Sequence, residues 1–193
     1  MNWLSFLSLA FVTIFTPGMN NIVCTQMGVK YGYKKSLKML FGMISGFFLI
    51  LVITNLFAFQ IFLVFPSIQK YIGFVGAVYL IFLAYNIIKD NKKSNKKVKL
   101  GFFRGFFIQY LNPKGILFAL MVNSVYILPV SKNIKNSIPY FLILMVIVFC
   151  AISAWNLFGT IISKYLKNKK RRKIINYVLA LLLIYAAYSV LQT

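Results

Sequence analysis

Two short stretches, Thr16-Pro17-Gly18-Met19-Asn20-Asn21 and Leu111-Asn112-Pro113-Lys114-Gly115, set proline beside asparagine inside apolar segments long enough to cross a bilayer. A proline within a helix removes a backbone donor and frees a carbonyl one turn back. In hydrocarbon such a break survives only where it is buried in protein or lines a polar cavity. The chemistry on offer is recognition of a small polar molecule. A half-helix restarting after Pro17 or Pro113 exposes unpaired N–H groups and a partial positive charge, which suit a carboxylate. Thr16, Gly18, Asn20 and Asn21 at the first break, and Asn112 at the second, add polar atoms and open backbone at one depth. The competing reading is a kinked packing helix whose asparagines bond neighbouring spans. Lys114 is costly at membrane depth; pairing with a substrate carboxylate, capping freed carbonyls and snorkelling to an interface are three open roles. One such break in each half of a chain is a pointer to a transporter's binding site.

Other chemistry is excluded by what the chain lacks. It has no histidine and one acid, Asp90, which lies outside every apolar segment. Carboxylate acid–base catalysis has no candidates there. Metal ligands are missing too: Cys24 and Cys150 are far apart and read as small apolar fillers. No glycine-rich loop precedes a Lys-Ser/Thr pair, so nucleotide hydrolysis is not expected. The expectation is a non-enzyme with no cofactor and no metal.

The elements that must carry the two breaks follow from composition. The 193 residues are 61% hydrophobic and 18% aromatic, with mean hydropathy +0.81, against roughly 45–50% apolar in a soluble domain. Six spans are predicted, at 3–24, 38–65, 71–88, 100–130, 138–162 and 174–191. The fourth is too long for one straight helix and divides at Asn112-Pro113. A net charge of +21 raises nucleic acid as a partner. Its placement argues instead for membrane orientation, because the connections after spans one, three and five hold 17 of the 22 basic residues. Those connections face the cytoplasm, and both termini face outward. No basic stretch precedes the first span, so a cleavable leader is not expected.

Three spans per half is an odd number, so two similar halves must be inverted. Pro17 and Pro113 correspond at an offset of 96, which places span two near span five and span three somewhat early for span six. The fold class is thus an all-α integral membrane protein of six transmembrane helices in two inverted three-helix repeats, with helices 1 and 4 broken at proline. A single transmembrane domain, 1–193, divides into repeats 1–90 and 100–193, joined by a polar linker at about 89–99. Gly42 with Gly46 and Gly101 with Gly105 fit close helix crossing. Trp155 and Asn156, deeper in span five, fit core packing better than a pathway lining.

The ordered motifs resemble the lysine exporter and homoserine–threonine exporter (LysE/RhtB) family. The residues that carry the resemblance are Thr16–Asn21, Gly28-Val29-Lys30-Tyr31-Gly32, Gly42–Gly46, Gly73–Leu80 and Asn112-Pro113-Lys114, covering nearly the whole chain. Met19 departs from a common Pro-Gly-Pro pattern, Asn123-Ser124-Val125-Tyr126 stands where a Pro-Gln-Phe element often lies, and the fifth span lacks an acid. The resemblance implies a secondary transporter exporting amino acids across the bacterial cytoplasmic membrane, with proton antiport. Its partners would be a small-molecule amino acid and the lipid bilayer, with no nucleic acid; self-association is left open. With no acid in any span, a neutral amino acid of the homoserine or threonine type is favoured over lysine or arginine. The expected substrate-binding residues are Thr16, Pro17, Gly18, Asn20, Asn21, Asn112, Pro113 and Lys114. Half-helix N-termini would hold the α-carboxylate, and carbonyls freed by the breaks the α-ammonium. A membrane scaffold or channel-like protein without amino-acid transport is the alternative.

Overall fold

The computed structural model describes residues 2–64, 100–131 and 133–163, with separate helical positions between 74 and 88 and between 173 and 188. In chain order the helices are α1 (Trp3–Phe15), α2 (Met19–Tyr31), α3 (Tyr33–Val64), α4 (Phe102–Ile108), α5 (Pro113–Val122) and α6 (Ile134–Ser163). A 3-10 turn, Gln109–Leu111, follows α4, and a π turn, Asn123–Ile127, follows α5. Among the described residues there is no strand. The predicted third and sixth spans and the 89–99 linker lie outside the described residues, apart from those separate positions.

α3 and α6 are long and apolar enough to cross a membrane singly. The other helices form two bent pairs, α1 with α2 at 49° and the α4 segment with α5 at 73°. Both bends fall at the predicted prolines. Thr16, preceding Pro17, is extended with ψ 139°, because the proline ring disfavours helical geometry in its predecessor. Asn112, preceding Pro113, leaves the helical region with ψ 89°. Pro113 then occupies the first turn of α5, where its missing N–H would have been unpaired anyway.

Several boundaries differ from the sequence reading. The first span runs on to Tyr31 rather than ending near 24, and α3 begins at Tyr33 rather than 38. Gly32 alone connects them, at φ +76°, a conformation glycine adopts without steric cost. Lys30, Lys34, Lys35 and Lys38 therefore lie on helix ends rather than in a loop. α6 begins at Ile134, not 138, because Asn133 Oδ1 accepts the Asn136 N–H at 3.0 Å, a side-chain cap on the helix's free donors.

Glycines set how closely these helices approach. Gly42 and Gly46 of α3 lie against the α4 backbone at Phe102 and Phe106, and Gly105 of α4 lies against Met39 and Met43. This is the expected small-residue crossing with one correction: Gly101 meets nothing within 4 Å, since it caps the start of α4 instead of packing within it. A second seam joins α2 to α6, with Gly28 against Asn156 and Thr160, and Gly159 against Thr25. Asn156 Nδ2 donates to the Cys24 carbonyl at 2.8 Å, and Thr160 Oγ1 to the Gly28 carbonyl at 3.3 Å. So α3 lies along the first half of one broken span, while α6 lies along the second half of the other. The two seams are not copies of each other at the 96-residue offset.

The surface is inverted relative to a water-soluble protein. Phe11, Phe41, Phe103, Phe107, Leu142 and Val146 are exposed, whereas Asn21, Asn55, Gln109, Asn112, Asn123 and Asn156 are buried. Hydrocarbon solvates the first set and cannot satisfy the second.

Because a Cβ at Gly159 would run into the Thr25 carbonyl, Gly159→Val should destabilise the protein by ~1–3 kcal/mol through overpacking. The measurement is the loss of monodisperse protein on heating in mild detergent. Gly101→Ala, with open space around it, should behave as wild type.

Candidate functional site

The two breaks meet. Lys114, at the start of α5, donates from Nζ to the Thr16 carbonyl at 3.1 Å, 98 residues away in sequence. Its side chain also lies over Gly18, where a Cβ would come within 3.2 Å of the Lys114 Cδ. Between the breaks is a hollow of about 50 Å3, room for a few waters where one needs about 10–15 Å3. Its polar wall comprises Asn20, Asn21, Asn112 and Lys114 with the open backbone of Gly18 and Gly115. Phe47, Phe118, Val148 and Ile152 form the apolar wall, with the rings of Phe47 and Phe118 stacked at 6.4 Å.

Most of the carbonyls left over at the end of α1 have donors. The Thr16 N–H and hydroxyl both donate to the Val12 carbonyl. Asn21 Nδ2 donates to the carbonyls of Ile14 at 2.8 Å and Thr16 at 2.9 Å. Trp155 Nε1 donates to the Phe15 carbonyl at 3.3 Å. The Lys114 ammonium thus completes a set of donors at the negative end of α1, where a cation is favoured. Of its three roles open from sequence, this geometry is the capping one, directed at the first break rather than its own. Protein donors hold the Ile14, Phe15 and Thr16 carbonyls, while the Thr13 carbonyl, the one that Pro17 leaves without its helical donor, has no donor among the described residues, and Thr13 lines the hollow.

The positive helix ends contrast with this. Neither Gly18 at α2 nor Asn112 at α5 provides a side-chain cap. In α2 the first internal bond is the Ile22 N–H to the Gly18 carbonyl, and in α5 the Ile116 N–H to the Asn112 carbonyl. The residues that carry the N–H groups ahead of those bonds, Met19, Asn20 and Asn21 in α2 and Lys114 and Gly115 in α5, line the hollow. Asn112 is 5% exposed and, among the described residues, its side-chain amide has no hydrogen-bond partner. Asn112 lines the hollow, where a ligand or water can pair with this amide.

Asn20 is held from the opposite break. Its Nδ2 donates to Gln109 Oε1 at 2.9 Å, and Gln109 Nε2 returns a bond to Asn20 Oδ1 at 3.3 Å. Gln109 is buried, and Gly46 makes space for it, since a Cβ there would lie 3.0 Å from the Gln109 Cγ. Sequence reasoning missed Gln109, although a lone amide one turn before Asn112 in an apolar run was a legible signal. Trp155 was read as packing, yet it reaches a break carbonyl. Of the predicted residues, Gly18, Asn20, Asn21, Asn112 and Lys114 line the hollow. Thr16 contributes its carbonyl, and Pro17 and Pro113 shape the breaks without forming the wall.

Comparison with known proteins gives a consistent picture. The family model described as LysE type translocator matches residues 11–193. A cysteine/O-acetylserine efflux protein of Salmonella paratyphi A is 29% identical over 189 residues, spanning 96% of this chain and 95% of that protein. Proteins of the same description from Escherichia coli O139:H28 and Escherichia coli K12 are 27% and 26% identical over 188 residues, each spanning 96% of this chain and 95% of the relative. No solved structure matches the chain.

Asn21→Ala removes the donor shared by the Ile14 and Thr16 carbonyls. Thr16 keeps Lys114 but Ile14 keeps nothing, so the variant should lose ~1–3 kcal/mol of unfolding free energy in a denaturing-detergent titration. Stability equal to wild type would show that this capping does not hold the break.

Proposed function

The chain belongs to the family of LysE-type translocators, and on that premise we propose that it exports a small neutral amino acid across the bacterial cytoplasmic membrane. The observation that carries the reading is the meeting of the two proline breaks at one hollow, with Lys114 bonded across them. A zwitterion needs an electropositive and an electronegative subsite a few ångströms apart. The uncapped N-termini of α2 and α5 supply the first. The Thr16 carbonyl and the Asn112 side-chain oxygen supply the second. As the substrate enters, its ammonium takes over the Thr16 carbonyl and Lys114 turns to the carboxylate. One cation thus replaces another on the Thr16 carbonyl.

The substrate class rests on the walls. No acid lines the hollow to match a second positive charge, and Phe47, Phe118, Val148 and Ile152 leave the side chain a small apolar compartment. Relatives named for cysteine and O-acetylserine efflux support a short, uncharged side chain. Homoserine and threonine share that description. Six spans in inverted halves, with both termini outside and one half rocking against the other, would give each face access to the site in turn.

Efflux from cells fed dipeptides of cysteine, threonine or lysine tests this. A deletion strain should accumulate the small neutral amino acid, and the wild-type gene should relieve that accumulation without affecting lysine. Asn112→Ala should slow efflux by roughly 10–100-fold, the worth of a hydrogen bond to a charged group. Equal accumulation in all strains, for every amino acid tried, would remove the exporter reading. Phe118→Ala tests the apolar wall: it should raise methionine export relative to threonine, and an unchanged ratio would mean that another surface sets substrate size.

A further inference from the structure

A second polar cluster lies away from the hollow, in residues that the binding geometry does not use. Asn55 of α3 donates from Nδ2 to Asn123 Oδ1 at 2.9 Å and to Ser137 Oγ of α6 at 3.3 Å. Asn123 Nδ2 donates to Thr54 Oγ1 at 2.8 Å and to the Leu51 carbonyl at 3.1 Å. Ser137 and Ser131 share a bond of 2.9 Å between their hydroxyls. All five side chains are buried, Asn123 and Ser137 completely. They tie together the ends of α3, α5 and α6, each bond joining groups that hydrocarbon could not solvate.

Position relative to the hollow gives the cluster meaning. At about 1.5 Å per residue, Thr54 and Asn55 lie roughly 10–12 Å past Phe47 along α3. On the same scale, Asn123 lies roughly 7 Å past Phe118 and Ser137 roughly 16 Å from Val148. All three displacements point to one side, that of the sparsely charged connection holding Lys132 and Lys135. On the other side, beside the basic helix ends, the helices close through glycine seams in which backbone meets backbone. The two ends of the hollow are sealed differently. On the glycine side, side-chain bonds from Asn156 and Thr160 to carbonyls of α2 accompany close backbone contact, whereas the far side is closed by amides and hydroxyls bonded chiefly to one another, which can exchange partners at little cost.

The backbone here is also set for movement. Asn123 opens the π turn, with the Leu128 N–H reaching back five residues to its carbonyl at 2.9 Å. Such turns are rare, and frequent at functional sites. Ser124 Oγ, one residue on, is buried with no partner among the described residues, a spare group for a second arrangement. Pro139 lies within the first turns of α6, where its missing N–H lets the helix end bend.

We propose that the Asn55–Asn123–Ser137 network is the exit gate, closed in this structure, whose opening frees these amides and hydroxyls to line the outward path of the substrate. The direction of the path rests on the export reading and on the outward placement of that end; the gate itself does not require a particular substrate. Opening turns the π turn, moves the end of α6 at Pro139, and gives Ser124 a partner.

The test replaces Cys24 and Cys150 by alanine and places a reporter in the hollow wall, Val148→Cys, labelled in right-side-out vesicles by a membrane-impermeant maleimide. Asn55→Cys with Ser137→Cys supplies a latch that oxidation closes and a reductant opens. Closing it should cut labelling of position 148 at least tenfold, with recovery on reduction. Ser137→Ala, which removes one member of the network, should raise labelling several-fold. Labelling that ignores both changes overturns the gate, as does failure of the pair to cross-link in protein that has reached the membrane. Labelling needs no substrate, so a gate that works in a protein exporting no amino acid would sink the export reading and leave the gate standing.

Discussion

An unpaired backbone group in hydrocarbon has no water to turn to, and that constraint governs everything built around Thr16. Breaking a span at Pro17 leaves several carbonyls without donors at membrane depth. Asn21 reaches back over two of them, Trp155 comes from α6 for a third, and Lys114 comes from the other broken span to share the Thr16 carbonyl. The requirement to satisfy one break is what draws α6 and α5 against it. A hollow between two broken helices follows from solving that problem with side chains drawn from separate parts of the chain.

The solution is asymmetric. At the negative end of α1 the Val12, Ile14, Phe15 and Thr16 carbonyls are engaged, while the positive ends of α2 and α5 have no side-chain caps and the Asn112 side chain has no partner among the described residues. Protein groups have answered one polarity and left the other to whatever occupies the hollow. On the proposed reading, a zwitterion would take its orientation from this without any acidic side chain. Lys114 bridges the two breaks, its ammonium held on the Thr16 carbonyl. Its desolvation at depth is tolerable only because a helix end and a carbonyl face it.

Packing and polarity divide the work of closing the hollow. Gly28, Gly42, Gly105 and Gly159 bring backbones together on the side of the basic helix ends, where dispersion over closely matched surfaces holds helices that lipid would not drive together. On the other side Asn55, Asn123, Ser131 and Ser137 do so through directional bonds. A seam of the first kind has few alternative arrangements. A network of the second kind is made of amides and hydroxyls that can exchange partners, and the proposed gate draws on that and on the π turn at Asn123.

Much of this was legible along the chain. Apolar length specified the two long helices, and proline sterics fixed both breaks to the residue, because Thr16 and Asn112 cannot stay helical before Pro17 and Pro113. The spacing Gly42–Gly46 announced a close crossing, since a missing Cβ has the same consequence in any helix. Five of the eight predicted binding residues line the hollow for one local reason: they sit where the backbone opens, four with polar side chains and Gly18 with bare backbone. Partnership was not legible. That Asn20 pairs with Gln109, that Trp155 reaches Phe15, and that Asn55 meets Asn123 and Ser137 depends on which helix faces stand together, and a hydrogen bond spanning 68 to 140 residues leaves no periodic trace. The order of the chain settled where the backbone must break and that the breaks must be sheltered; only tertiary packing decided that each break would be sheltered by the other, because satisfying buried carbonyls is a matter of what lies within 3 Å in space.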